Sequence, residues 1–369
     1  MTINSKCEKS KKKILVVDDS ALMRRVMCDI INSDDRFQVV EQAFDGEAAY
    51  TLLKKNQYDG VVLDVNMPKL NGIQLLRMLQ KDKIRARIMM ASTDTKEGAS
   101  VTLESLDLGA IDFVEKPANL SYLKGNEFKK KFLDILYAVV TSRQTNIQRE
   151  SAIPQQKQEE STRKLIDIVR KSHPAVGSQK IVAIASSTGG PKALQSVIPR
   201  LPAELAAPVL IVQHMPKGFT QSLAERLNSL SKINVKEAVD GEPVENGTVY
   251  IARGGQHMNV VTKGGKACIS YTDEPPREGV KPCANYMYES LKNSNYSQVV
   301  CVVLTGMGAD GTKGIVNLET AKKVHVIAQD EATSTVYGMP KCIAATGLVN
   351  QVVGLDDVAQ EIIMNVGVK

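Results

Sequence analysis

Short runs of aliphatic and β-branched residues alternate with helical patterns along most of this chain, and most of the runs end in a polar turn. The clearest runs are KILVVDD, FQVVEQAF, GVVLDV, KIVAIAS, PVLIVQ, GTVYIA, QVVCVVLTG and VHVIAQ. Continuously apolar strands are typical of sheets covered on both faces, and helices between them are typical of βαβ units. We therefore expect an α/β protein with doubly wound parallel sheets.

A glutamine-, serine- and lysine-rich segment, QTNIQRESAIPQQKQEESTRK, divides this pattern into two parts. Its low apolar content is typical of a flexible linker. At roughly 150 residues per domain, 369 residues suffice for two or three domains. The sequence predicts a basic tail over 1–12, a first domain over 13–130, a linker over 131–178 and a second domain over 179–369.

The positive charge of the chain is concentrated in the predicted tail and linker. The net charge of +6 divides into +4 over 1–13, +3 over 141–178 and −1 over the rest. The second domain, 179–369, carries 18 basic and 17 acidic residues. A nucleic-acid-binding protein carries its positive charge on a folded face. The distribution therefore argues against a DNA-binding output domain and against nucleic acid as a partner.

The chain lacks the sequence features of a membrane-inserted or secreted protein. Its longest apolar run is about six residues, as in 299–304, against the roughly 20 needed to span a bilayer. Residues 1–13 are polar and lysine-rich, unlike a secretory signal. The six cysteines include no CxxC pair, which favours reduced thiols over a zinc site. We expect a cytoplasmic protein that is not inserted in a membrane.

Charged residues stand at three predicted strand ends of the first domain. Asp18 and Asp19 follow ILVV, Asp64 follows VVL, and Lys116 lies in the EKP segment. Because the carboxyl ends of parallel strands share one edge of a sheet, these groups can converge. Clustered carboxylates suit Mg²⁺, and Asp64 would then be an exposed nucleophile for a phosphoryl group that Ser92 could also bond. Taken singly, each aspartate is more simply a turn former or a helix cap.

Three strand ends of the second domain carry the groups of a hydrolytic site. Ser187 lies in the STGG turn after KIVAIA, His214 ends APVLIVQ, and Asp310 follows QVVCVVLTG. An imidazole is a suitable base for a serine hydroxyl, and a carboxylate can orient it. The chain order differs from that of α/β-hydrolases, and the chain has no GxSxG elbow. A helix-capping serine and a structural histidine are the alternative interpretation.

A dinucleotide-binding site is a rival interpretation of the same region. Gly306, Gly308 and Gly311 form GxGxxG after a strand, and Asp330 follows a later strand. However, the motif stands late in the domain rather than in its opening βα turn, and it leaves Ser187 and His214 without roles. The hydrolase interpretation is therefore favoured.

The first domain resembles a response-regulator receiver domain through VVDDS, VLDVNMP, MMAST and DFVEKP over roughly 13–130. The resemblance implies a flavodoxin-like fold in which Asp64 accepts a phosphoryl group and Asp18 and Asp19 help to hold Mg²⁺. The other implied positions are Lys116 for contact with the phosphoryl group and Ser92 and Phe113 for switching.

The second domain resembles the catalytic domain of the chemotaxis protein-glutamate methylesterase family, CheB, through ASSTGGP, VQHMPKGFT, YIARGGQHM, LTGMGADG and AQDEATSTVYGMP. The resemblance implies a Rossmann-like domain with Ser187 as nucleophile, His214 as general base and Asp310 as its orienting acid. It also implies that the Met307 backbone N–H contributes to the oxyanion hole. Ser186 departs from the family, which usually has alanine there, although the STGG alignment selects Ser187.

The family resemblance implies a function that the residues alone do not reveal. A phosphorylation-regulated serine hydrolase would demethylate glutamate methyl esters on chemoreceptors, release methanol and also deamidate receptor glutamines. Its partners would be methyl-accepting chemoreceptors and a chemotaxis histidine kinase. Mg²⁺ would serve the receiver domain, and the esterase would need no cofactor. A non-catalytic response regulator that docks on receptors is the alternative.

Overall fold

The computed structural model describes residues 10–93, 96–117, 125–143 and 179–369. These residues form two α/β domains, each with its own parallel sheet. Most of the predicted basic tail and most of the predicted linker lie outside the described residues. The two doubly wound domains confirm the predicted fold class.

The described residues of the first domain form five strands and five helices. The strands are β1 (Lys12–Val17), β2 (Phe37–Ala43), β3 (Gly60–Asp64), β4 (Ile88–Thr93) and β5 (Asp112–Lys116). The helices are α1 (Ala21–Asn32), α2 (Gly46–Lys55), α3 (Gly72–Lys81), α4 (Lys96–Asp107) and α5 (Asn126–Thr141). All strand pairs are parallel, in the order β2-β1-β3-β4-β5. This is the flavodoxin-like order, which places the switch point of the sheet between β1 and β3.

Local capping groups begin three of these helices close behind the strand ends. The side chains of Ser20, Asp45 and Asn71 accept hydrogen bonds from the backbone N–H groups of the first turns of α1, α2 and α3. Such caps satisfy N–H groups that have no partner within the helix. Each cap therefore sets the last residue of a polar loop at the carboxyl edge of the sheet.

The predicted end of the first domain at residue 130 is too early. Helix α5 continues to Thr141 and buries Phe132, Leu136 and Val139 in the core of the first domain. Phe132, Leu136 and Val139 recur at intervals of four and three residues, which places them on one helical face. Residues 131–141 therefore belong to the first domain rather than to the linker.

Residues 179–369, the described part of the second domain, form nine strands and six α-helices. The strands are β6 (Lys180–Ser186), β7 (Val209–Gln213), β8 (Asn234–Glu237), β9 (Thr248–Ile251), β10 (His257–Lys263), β11 (Lys266–Thr272), β12 (Gln298–Val303), β13 (Lys323–Gln329) and β14 (Val349–Val353). The helices are α6 (Gly190–Val197), α7 (Phe219–Leu230), α8 (Ala284–Ser290), α9 (Thr312–Glu319), α10 (Met339–Ala344) and α11 (Val358–Val366). Three 3₁₀ turns span Ile198–Arg200, Leu291–Asn293 and Leu355–Asp357. Seven strands form one parallel sheet in the order β14-β13-β12-β6-β7-β9-β8, while β10 and β11 form an antiparallel hairpin.

The first strand of the second domain lies in the middle of its sheet. Strand β6 pairs with β12 on one side and with β7 on the other. The last paired residues are Ala185 with Val303 and Ser186 with Gln213, so the three strands end almost level. The order in which successive strands are added to the sheet changes direction at β6. Such a topological switch point opens a crevice at the carboxyl edge of the sheet.

Candidate active site

The three polar residues predicted for the second domain lie at this switch point. Ser187 directly follows β6, His214 directly follows β7, and Asp310 lies in the turn between β12 and α9. Because β6 is flanked by the other two strands, their loops meet above a single strand end.

His214 and Asp310 form a direct hydrogen bond. The His214 Nε2 atom lies 2.7 Å from Asp310 Oδ2, and the two side chains are 11% and 3% exposed. In the usual serine-protease arrangement the acid bonds to Nδ1 and Nε2 serves as the base. Here the acid occupies Nε2, which leaves Nδ1 as the ring nitrogen that can take a proton from a hydroxyl.

The carboxylate of Asp310 is surrounded by further donors. The backbone N–H groups of Ala284, Asn285 and Gly311 donate to it at 2.6, 3.0 and 2.8 Å, and the Cys283 thiol donates at 3.0 Å. Burial by itself raises the pKa of the carboxyl group, but hydrogen bonds from the imidazole, the thiol and Ala284 lower the pKa to about 2. The group is therefore a carboxylate near neutral pH and can stabilise an imidazolium ion.

A tight turn presents Ser187 at the strand end. The Ser187 N–H donates to the Thr305 carbonyl at 3.0 Å, and the Gly190 N–H donates to the Ser187 carbonyl at 2.7 Å. Gly189 has φ +76°, and a Cβ there would lie 2.4 Å from Thr335 Oγ1, so this position requires glycine. The Ser187 side chain is partly exposed. The turn thus leaves the Ser187 side chain partly exposed at this edge of the sheet.

The adjacent hydroxyl, Ser186, is occupied by a structural hydrogen bond. Ser186 is fully buried, and its Oγ donates to Gln213 Oε1 at 2.7 Å. The Gln213 amide in turn donates to the carbonyls of Ser187 and His214 at 3.0 and 3.2 Å. Ser186 therefore helps to join the two strand ends, and its hydroxyl does not face the crevice.

The loop that contains Met307 packs against the Ser187 turn. A Cβ on Gly306 would lie 2.8 Å from the Ser187 Cβ and 2.3 Å from Met339 Sδ. The Gly306 N–H donates to the Val336 carbonyl, whereas the following N–H, that of Met307, has no acceptor within the part of the chain that the structure describes. A backbone donor beside the serine is thus available to a bound carbonyl oxygen.

The predicted acidic pocket forms at the switch point of the first sheet. Carboxylate oxygens of Asp18, Asp19 and Asp64 all lie within 4.8 Å of one another. The Lys116 Nζ atom lies 2.9 Å from Asp18 Oδ2 and 2.7 Å from Asp64 Oδ1. Three hard oxygen donors match the ligand preference of Mg²⁺, so the residues present fit this ion.

Asp64 is buried, although the sequence predicts an exposed nucleophile at this position. Its exposed fraction is 4%, and burial raises the pKa of its carboxyl group to about 6 although the Lys116 ammonium lowers it. Ser92 is fully buried in β4, one residue beyond Ala91, which pairs with Asp64. Phe113 is 5% exposed in β5. The predicted switch hydroxyl thus lies at the strand end next to that of Asp64.

Sequence comparisons identify the family of the chain. Family profiles match a CheB methylesterase over residues 182–362 and a response regulator receiver domain over residues 14–126. A Pyrococcus abyssi protein named protein-glutamate methylesterase/protein-glutamine glutaminase is 41% identical over 355 residues, which cover 96% of this chain and 93% of that protein. The chain belongs to the CheB family.

Two further comparisons cover the whole chain and the second domain of this CheB protein. A Bacillus subtilis protein of the same name is 38% identical over 353 residues, 95% of this chain and 97% of that protein. The crystal structure of the Thermotoga maritima CheB methylesterase catalytic domain is 41% identical and covers 52% of this chain and 100% of its own, with a TM-score of 0.50. Among the described residues, no helix is both long and apolar enough to cross a membrane.

The glycine motif of the rival interpretation has structural roles in this CheB protein. Gly306 allows the close approach to Ser187, and Gly311, with φ +90°, precedes helix α9. Asp330 accepts hydrogen bonds from the N–H and Oγ1 of Thr333 at 2.8 and 2.5 Å. These contacts account for Gly306, Gly311 and Asp330 without a nucleotide.

Three residues around the site have roles that the sequence does not reveal. Cys283 contacts Asp310, and the fully buried His257 contacts the Cys283 backbone. Gln213 bonds the two strand ends, as described above. Gln213 and His257 stand within the motifs VQHMPKGFT and YIARGGQHM, but no role follows from the sequence, because each residue acts on a partner that is distant in the sequence.

Proposed function

We propose that this CheB protein is a phosphorylation-regulated serine hydrolase that demethylates glutamate methyl esters on chemoreceptors and deamidates receptor glutamines. The names of the Pyrococcus abyssi and Bacillus subtilis relatives support both activities. The single observation that carries the proposal is the 2.7 Å bond between His214 and Asp310 at the strand end beside Ser187. In chemotaxis, removal of methyl groups would adapt the receptors.

The hydrolytic steps are assigned to Ser187, His214 and Asp310. Ser187 Oγ attacks the ester carbonyl while His214 Nδ1 takes its proton, and Asp310 stabilises the imidazolium through Nε2. The tetrahedral intermediate collapses, the C–O bond breaks, and methanol leaves with the proton from His214. Water activated by the same imidazole then releases the glutamate carboxylate from the serine ester. Deamidation follows the same steps with ammonia as the leaving group.

The Met307 N–H is the proposed oxyanion-hole donor. A donor of this kind contributes roughly 3–4 kcal/mol to stabilisation of the transition state. Its unused hydrogen-bonding capacity and its position next to Gly306 support the assignment. We propose no cofactor for the hydrolase, because each step is assigned to a side chain or a backbone group of this chain.

The receiver domain is proposed to accept a phosphoryl group on Asp64 from a chemotaxis histidine kinase. Asp18, Asp19 and Asp64 would hold Mg²⁺, which when bound supplies positive charge to neutralise phosphoryl oxygens. The Lys116 ammonium would pair with another phosphoryl oxygen. The Ser92 hydroxyl would donate a hydrogen bond to the phosphoryl group. Phe113 would respond at the switch position.

The proposed location is the cytoplasm, with membrane-embedded chemoreceptors as substrate rather than as an anchor. The cysteines that the structure describes, Cys28, Cys268, Cys283, Cys301 and Cys342, are all free thiols. Unpaired thiols are the norm in reducing compartments. Nucleic acid is not proposed as a partner.

The experiment that tests the function is methanol release from methylated chemoreceptor by the wild-type protein. We expect release that increases when a small-molecule phosphodonor and Mg²⁺ are added, and ammonia release from receptors that carry glutamine. A folded protein that binds receptor and releases no methanol under either condition would instead be the non-catalytic docking protein.

Substitution Gly306→Ala is expected to lower the rate of methanol release about 100-fold. The new methyl group would meet Met339 and the Ser187 Cβ and displace the serine, and a shift of about 1 Å in a reacting group can cost that factor. Gly347→Ala is the matched control, since Gly347 has φ +78° and open space around it. It should lower stability and leave methanol release near the wild-type rate. Equal losses in both variants would contradict this role of Gly306.

A further inference from the structure

We propose that Cys283 and His257 are positioning residues that hold the Asp310 carboxylate against His214. The inference rests on the proposed function, since it concerns how the acid of the hydrolytic site is fixed. Neither residue contacts the crevice directly, because both are fully buried. They therefore act through Asp310 rather than on substrate.

The Cys283 thiol faces Asp310 rather than its own helix. Cys283 stands at the N-cap position of α8, where its side chain makes no capping bond. Instead its Sγ lies 3.0 Å from Asp310 Oδ1, and the first two N–H groups of α8, those of Ala284 and Asn285, also donate to Asp310. The carboxylate thus replaces the usual cap, and the thiol is the one side-chain donor on Oδ1 among the described residues.

The thiol remains protonated near neutral pH and therefore donates to the carboxylate. Burial and the neighbouring Asp310 charge raise the pKa of Cys283 far above its usual range. A proton on sulfur directed at Oδ1 resists rotation of the carboxyl group about its terminal bond. Oδ2 then stays in line with His214 Nε2, 2.7 Å away.

His257 fixes the backbone that carries the thiol. Its Nδ1 accepts a hydrogen bond from the Cys283 N–H at 3.2 Å, and its Nε2 lies 3.2 Å from the Pro275 carbonyl. Since the carbonyl can only accept, Nε2 carries the proton and Nδ1 holds the lone pair. Burial lowers the pKa of His257, which favours this neutral form. The ring also packs on Tyr286, with centroids 4.5 Å apart.

The contacts form a continuous chain from the loop at Pro275 to the base. It runs from Pro275 through His257 to Cys283, then through the thiol to Asp310 and on to His214. Every link is a covalent connection or a hydrogen bond of at most 3.2 Å within the second domain. An acid held in this way needs little reorganisation when positive charge develops on the imidazole.

A pair of substitutions at Cys283 separates positioning from packing. Serine and alanine both remove the sulfur volume, but only serine keeps a donor for Oδ1. If Cys283 only fills space, the buried hydroxyl should be no better than the methyl group. If it positions Asp310, serine should rescue what alanine loses.

The test measures methanol release from methylated receptor with the full-length wild-type, Cys283→Ala and Cys283→Ser proteins. We expect kcat of Cys283→Ala to fall about 10-fold with KM within about 2-fold, and Cys283→Ser to stay within about 3-fold of wild type in both. His257→Asn, which keeps an acceptor at the Nδ1 position, should likewise retain more activity than His257→Leu. Equal losses in the serine and alanine variants, or wild-type kcat in Cys283→Ala, would overturn the inference.

A second readout requires no substrate. In protein with ¹⁵N-labelled histidine, the proton between His214 and Asp310 gives a downfield NMR signal that His214→Gln removes. We expect this signal to move upfield in Cys283→Ala and to return in Cys283→Ser. An unchanged signal in Cys283→Ala contradicts positioning. If the wild type releases no methanol, the proposed function has failed, and this signal alone decides the inference.

Discussion

Substitution Ser187→Ala is expected to lower methanol release from methylated receptor by at least about 1000-fold. The hydroxyl that forms the acyl intermediate is lost, and removal of a serine nucleophile from a comparable triad leaves only the contribution of binding and the oxyanion hole. The side chain is partly exposed, and its hydroxyl makes no hydrogen bond within the described part of the chain. The free energy of unfolding should therefore change little. The measurement is kcat under saturating phosphodonor, together with the midpoint of thermal unfolding.

Ser186→Ala is the matched control for the same chemistry at the adjacent position. It removes the buried hydrogen bond to Gln213, which should cost about 1 kcal/mol of stability, and it leaves the proposed nucleophile in place. We expect its kcat to stay within about 10-fold of wild type. The reverse pattern, with Ser187→Ala active and Ser186→Ala inactive, would assign the nucleophile to the buried hydroxyl. Similar, small losses in both variants would contradict serine catalysis.

The sequence predicts the polar residues that directly follow apolar strands. Ser187, His214 and Asp310 each follow a continuously apolar strand, and parallel strands share one carboxyl edge. That rule brings strand ends to the same edge but does not order them. Only the structure shows that β7 and β12 flank β6, which makes the edge a crevice.

The features that could not be predicted depend on partners far apart in the chain. Cys283 and Asp310 are 27 residues apart, and Cys283 lies 26 residues beyond His257. Which imidazole nitrogen faces Asp310 also follows from the path of two loops, not from residue types. The burial of Asp64 has the same origin, because strands and helices of the whole domain enclose it.

The end of the first domain shows where the span of a family resemblance and a helical pattern differ. The predicted boundary at residue 130 follows the span of the receiver motifs, roughly 13–130. Phe132 and Leu136 nevertheless repeat at helical spacing and are fully buried in the first core. An amphipathic helix carries polar residues on its solvent face, so the helical spacing of these apolar residues assigns 131–141 to the first domain.

Asp64→Asn is expected to abolish stimulation by phosphodonor. The ratio of methanol release with and without a phosphodonor such as acetyl phosphate, in the presence of Mg²⁺, should fall from its wild-type value to about 1. An amide cannot form the acyl phosphate that the Asp64 carboxylate can form. Each tenfold of wild-type stimulation that is lost corresponds to about 1.4 kcal/mol of coupling between phosphorylation and the active site.

Asp35→Asn controls for the removal of one negative charge from the receiver domain. Asp35 is fully exposed near the start of β2 and pairs only loosely with Lys11, at 3.5 Å, so its stimulation ratio should match wild type. Asp64 differs because it is buried against Lys116 at the end of β3. Retained stimulation in Asp64→Asn would place the phosphorylated residue elsewhere. If phosphodonor does not increase methanol release by the wild type, phosphorylation does not control the hydrolase. The hydrolase proposal would still stand, because the two domains carry their chemistry on separate sheets.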